Sequence, residues 1–227
     1  MNRYLDRQRL GALAVFCLIA LWDASGLDTS LARLAGSSAG FPLRDSWILS
    51  AVFHDGARHL AWLGVLALAA STVWPWGPFR DLPFARRLQL AFVTLAASGV
   101  IALLKIGNHT SCPWDLQQFG GVATPVSHWA GWLRTDGGGG HCFPAGHAST
   151  GFAFIAGYFA LRADKPELAR IWLACSIALG LLLGGAQQLR GAHFMSHTLW
   201  TGWICWLLGW ITDPLFSRRM QAAPGSR

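Results

Sequence analysis

His193 and His197 stand four residues apart at the opening of an apolar run in the C-terminal part of the chain. On a helix that spacing puts both rings on one face. One ring can then attack phosphorus while the other fixes its tautomer, the pairing used in acyl and phosphoryl transfer. The same spacing also suits zinc. His147 falls in Pro144-Ala145-Gly146-His147, where Pro144 can start a helix and Gly146 permits close backbone approach. The free N–H groups of such a first turn attract an anion, phosphate above all. His147 is then placed to give a proton to a leaving oxygen, although Pro-x-Gly-His also reads as an ordinary helix start. Lys105 and Arg190 supply the positive charge from which a phosphoryl group in transfer gains.

These residues need elements to hold them. With 53% hydrophobic and 13% charged residues, the 227-residue chain carries about half the charge of an average domain. Its mean hydropathy is +0.36. Long apolar runs separated by short charged stretches predict an all-α integral membrane protein. Six transmembrane helices are expected near Leu10–Trp22, Arg58–Trp74, Leu88–Leu104, Gly146–Leu161, Ala169–Gly185 and Phe194–Ile211. The first of them reads as a retained anchor, since no cleavage site follows it convincingly. Residues 1–227 form a single membrane domain in this reading, with an amphipathic segment at 24–46 and a large outer loop at 105–145 in which glycines 137–140 act as a hinge.

Twelve of the eighteen Lys and Arg residues fall on one side of this layout, among them Arg3, Arg86, Arg162 and Arg227. By the positive-inside rule both termini are cytoplasmic, and the candidate site faces the periplasm of a bacterial inner membrane. All eight histidines map to that outward half, which marks a polar cavity there; interface-seeking imidazoles are the plainer alternative. The net charge of +7 lies in small clusters at helix ends, which argues against nucleic acid as a partner. Cys112 and Cys142 share the outer loop and could form a disulfide in an oxidising compartment, or share it by chance.

Three stretches carry a specific likeness. They are Lys105, six residues, Cys112-Pro113; then Pro144-Ala145-Gly146-His147; then Ala186-Gln187, five residues, His193, three residues, His197. In this order they resemble the signatures of the type-2 phosphatidic acid phosphatase (PAP2) family, in its bacterial membrane lipid phosphatase branch with a variant active site. Those six-helix enzymes share a histidine phosphotransfer site with vanadium haloperoxidases and bacterial acid phosphatases. The likeness is best over residues 57–212, the expected catalytic core. Cys112 and Gln187 stand where the family has arginine, Ala145 where it has serine and His197 where it has aspartate.

The resemblance implies metal-independent hydrolysis of a phosphate monoester or pyrophosphate on a membrane lipid, through a phosphohistidine and without a cofactor. Undecaprenyl pyrophosphate, lipid A, phosphatidylglycerophosphate and phosphatidate are the compatible substrates, and a second lipid in place of water would make the site a phosphotransferase. His193, His147 and His197 are then catalytic. Lys105, Arg190, Gly146, Ala145 and Asp115 bind substrate, with Arg190 replacing the guanidinium lost at Gln187 and Asp115 lending the carboxylate lost at His197. Cys112, freed from anion binding, is available to bridge Cys142. The rival readings are a metal site built on His193, His197 and one of His147, His141 or Cys142, a non-catalytic lipid-phosphate-binding relative, and a transporter.

Overall fold

The computed structural model describes residues 3–222. Its architecture is all-α, and no β-strand forms among the described residues. Helices α1 (Arg3–Ala24) and α2 (Leu27–Ala32) precede a π-helical segment, Ile48–Gly56, that runs directly into α3 (Ala57–Val73). Then follow α4 (Phe84–Gly107), a long ordered loop, α5 (Gly146–Phe152), a 3-10 turn, α6 (Ala156–Leu161), α7 (Pro166–Leu189) and α8 (Met195–Ala222).

Helix α4 is the central post. Its buried residues Arg86, Gln89, Leu90, Val93, Thr94, Ala97 and Ile101 recur at helical spacing, so one stripe meets the other helices. Small residues let α5 and α8 close on α7. A Cβ added at Gly151 would come within 2.3 Å of the Gly180 backbone, and one at Gly184 within 2.3 Å of Thr198. These glycines set the depth at which His147 and His197 sit, because α5 meets the α7 backbone at Gly180 and the Thr198 side chain of α8 packs directly on Gly184. Asp213 of α8 receives Arg86 at 2.8 Å and Arg162 at 2.7 Å, which ties α4, α6 and α8 together at the end away from the histidines.

The expectation of six transmembrane helices is corrected here. Among the described residues three helices are long and apolar enough to cross a membrane: Ile48–Val73, Phe84–Gly107 and Pro166–Leu189. The expected span Gly146–Leu161 is cut by the 3-10 turn at Ala153–Ile155 into pieces of seven and six residues, well short of the ~20 needed for one crossing. The expected first span, Leu10–Trp22, is bounded by Arg9 and Asp23 and falls short of the ~20 residues of one crossing, and Ser196, Thr198 and Thr201 dilute the expected last one. Both termini return to one side only after an even number of crossings, so the inner-membrane topology with a periplasmic site falls with the count. Arg227, one of the cations counted for orientation, lies outside the described residues.

The amphipathic segment forms only the six-residue α2 and a set of turns. Ala32 and Phe41 pack on Leu116, Phe119 and Ala123, so the segment covers the long loop. The glycine stretch is not a loose hinge. Gly138 N–H donates to Asp136 Oδ1 and Gly140 N–H to Ser111 Oγ, each at 3.1 Å, while Gly137 and Gly140 take the positive φ that such a path requires.

Candidate active site

Four elements converge on the histidines. The last turns of α4 bring Lys105, whose Cδ and Nζ would lie 3.6 and 3.7 Å from a Cβ built on Gly146. The ammonium therefore covers the start of α5, where His147 is the second residue. Asn108 and Asp136 order the loop between them. Asn108 Nδ2 donates to the His128 carbonyl at 2.7 Å, and Asp136 accepts Ser111 N–H at 2.6 Å. A disulfide joins Cys112 to Cys142, fastening the first signature to the second. Trp114 N–H donates to the Gly191 carbonyl at 2.9 Å, which fastens the first to the third.

The start of α8 is capped from a distance. Asp28 Oδ1 accepts Ser196 N–H at 3.0 Å and the Trp22 indole N–H at 2.8 Å, and Asp28 Oδ2 accepts the Ser196 hydroxyl. A carboxylate at a helix N-terminus satisfies donors that the helix leaves open. Here it comes from α2 and holds the turn that carries His193 and His197.

The rings form a file. Centroids are 3.8 Å apart from His54 to His147, 6.5 Å from His147 to His193, 5.8 Å from His193 to His197 and 5.2 Å from His197 to His128. Carboxylates bracket the file, with Asp55 Oδ1 2.8 Å from His54 Nδ1 and Asp23 Oδ2 3.2 Å from His128 Nε2. His193 and His197 are each 2% exposed. Burial, then the Lys105 ammonium, holds His193 well below its ordinary value of 6.5. Burial, then His54, Lys105 and Arg190, pushes His147 to about 3. Burial, then His128, does the same to His197. All three are neutral at pH 7, ready to accept a proton or a ligand.

Other residues expected at the site are placed as follows. Arg190 donates from Nε to the Arg44 carbonyl at 2.8 Å and from Nη1 to Gln187 Oε1 at 3.2 Å, so it is bound to the residue whose place it was expected to fill. Ala145 is fully buried, and its N–H donates to the His197 carbonyl at 3.4 Å. Asp115 accepts the Trp114 indole N–H at 3.0 Å. A carboxylate does serve the histidines, but it is Asp23, acting through His128. Sequence reading passed over Asp23, Asp28, His54 and His128 as site residues. The acids carried one signal: at the end of an apolar run a carboxylate costs desolvation unless it has partners.

One cluster overturns the expectation of metal-independent chemistry and of a site with no metal ligands. Cys142, His193 and His197 are all buried, and each offers a ligand atom within 4.8 Å of the others. His197 Nδ1 has no hydrogen-bond partner, an uncovered donor pair in a dry place. Two neutral imidazoles and a sulfur suit a zinc-class ion. The imidazoles fit as they stand. The sulfur fits as a thiolate, which requires the bond to Cys112 to be opened. His193, which was expected to attack phosphorus unaided, thus belongs to a possible ligand set.

Buried neutral histidines beside a lysine at a helix start can receive a phosphate group and move a proton on it. The chain matches the PAP2 superfamily over residues 86–221, which is more than half its length, and it belongs to that superfamily. The match contains all three signatures and leaves out α1, α2, the π-helical segment and α3. No curated protein and no solved structure matches the chain.

Proposed function

We propose that this chain is a lipid phosphatase or phosphotransferase: it removes or transfers phosphate on a phosphate-bearing lipid, with Cys142, His193 and His197 as a metal-binding part of its site. The observation that carries this reading is the juxtaposition of His147, His193 and Lys105 at the start of α5, a spacing in which one phosphoryl group touches both rings. Superfamily membership supports a phosphate-containing substrate. Lipid is favoured by an apolar cleft of about 330 Å³ between α3, α5 and α7. Thr150 and Gly151, one turn past His147, line it together with Leu60, Phe154 and Trp172. An alkyl chain in that cleft would leave its phosphate at the histidines. Phosphatidate, phosphatidylglycerophosphate, undecaprenyl pyrophosphate and lipid A all have that form.

Each residue then has a task. Lys105 holds the phosphate as a point charge, and Arg190 adds field from the rim. His147 moves a proton to or from the ester oxygen. His193 and His197, with Cys142 as thiolate, would hold a metal ion, which when bound supplies Lewis-acid polarisation of a phosphoryl oxygen. Asp23, through His128, steadies the far end of the file.

The test is phosphate release by purified protein from phosphatidate micelles and from p-nitrophenyl phosphate. It is run in reducing and non-reducing buffer, with chelator and then with zinc restored, alongside elemental analysis. Preference for the lipid, with loss on chelation and recovery on zinc under reduction, is expected. Faster turnover of the soluble ester would overturn the lipid assignment, and full activity in protein shown to be metal-free would overturn the metal's part.

A further inference from the structure

The π-helical segment lies outside the superfamily match, yet it reaches the reaction centre. The rings of His54 and His147 are 3.8 Å apart at 33°, which is direct contact. On the other side of His54, Nδ1 meets Asp55 Oδ1 at 2.8 Å. The His54 side chain is 29% exposed and that of Asp55 54%, so this pair touches solvent while His193 beyond it does not. Such wide turns are rare and gather at functional sites.

Two stacked imidazoles repel each other when both are charged, so at neutral pH the pair holds at most one added proton. Asp55 Oδ1 lies 2.8 Å from His54 Nδ1, which pins the ring through that nitrogen and leaves Nε2 for exchange. Burial and the His54 charge together disfavour the added proton on His147. The groups facing the pair are Asp55, Arg58 and His59 on its own segment and α3, Lys105 on α4, Arg190 after α7 and His193 before α8.

The geometry points to His54 and His147 sharing one catalytic proton, with His54–Asp55 as the solvent-fed reservoir that recharges His147 in each turnover. This rests on His147 being the acid–base group of the proposed phosphate chemistry. Stacked rings put no N–H of one on a nitrogen of the other, so transfer runs through one water. The Nε2 proton of the His54 imidazolium passes to that water, and a proton of the water passes to His147. His54 is left neutral with its Nδ1–H on Asp55, and His147 gives the proton to the leaving oxygen. His54 then reloads from solvent at its exposed edge.

His54→Phe keeps a stacked ring but carries no proton, and His54→Ala opens a space the size of imidazole. Both should lower kcat about tenfold or more at pH near 8, with a smaller loss in acid, and added imidazole should restore His54→Ala but not His54→Phe. Wild-type kcat in His54→Phe across the pH range would overturn the relay. So would a loss confined to His54→Ala that imidazole does not repair, since that marks packing alone. Nitrogen NMR of labelled histidine supplies a readout free of turnover: the His147 midpoint should rise in His54→Phe, and an unchanged midpoint would overturn the sharing. If the wild type releases no phosphate from any substrate, the proposed function fails, and the NMR arm still decides whether the two rings share a proton.

Discussion

His147 and Arg190 show how position decides what a side chain contributes. Arg190 sits at the rim, with its guanidinium on the Arg44 carbonyl and Gln187, and its charge reaches His147. Arg190→Ala should raise KM roughly tenfold or more, the scale of a lost charge-assisted contact, whereas Arg134→Ala in the exposed loop should leave KM unchanged. Initial-rate kinetics on one lipid phosphate separate the two. His147 also predicts how stability depends on pH. Its folded value near 3 lies below the ordinary 6.5, so between those limits the unfolded chain binds a proton that the folded chain does not. Stability should fall as pH drops from about 6.5 towards 3, and buried His193 and His197 add in the same direction. Thermal unfolding at pH 7.5 and 4.5 checks this, and His147→Phe should shrink the difference. At this scale the sequence exposed the residues that stand in motifs: His147, His193 and Lys105. It hid Asp23, His54 and His128, which meet the site only because α1, the π-helical segment and the long loop fold over it.

Helix starts and helix contacts fix the site more than any single ligand does. Asp28 caps α8 from α2, so Asp28→Ala should cost about 1 kcal/mol and lower the unfolding temperature, while Asp28→Asn should retain most of the cap. A merely covering role for the amphipathic segment would leave both variants like the wild type. Gly180→Ala tests the α5–α7 approach. Its Cβ would come within 2.5 Å of the Phe152 ring, and a loss of about 1–3 kcal/mol from overpacking is expected in the same melts. The existence of the long helices was legible in the apolar runs, as α4 shows: the run expected at Leu88–Leu104 lies within Phe84–Gly107. The break at Ala153–Ile155 was not, because Gly-Phe-Ala-Phe-Ile-Ala reads as continuous apolar helix and nothing in its composition marks a 3-10 turn.

Across the whole molecule, the PAP2 core from Arg86 onward supplies the three signatures, and the chain before it supplies Asp23, Asp28 and His54. The likeness carried by Lys105, Pro144-Ala145-Gly146-His147 and His193 was readable because backbone turns and one-helix spacings are local. Topology was not readable, since counting apolar runs gave six crossings where three helices qualify among the described residues. Metal capacity was legible only as a rival reading with its third ligand open among His147, His141 and Cys142: Cys142 lies 51 residues from His193, and only the fold brings them together. The most direct test of the account is inorganic phosphate release from phosphatidate micelles by the purified wild type and by His193→Ala, both shown to be folded. The account predicts release by the wild type and loss of at least about a hundredfold in the variant. Equal release by the two proteins would contradict it.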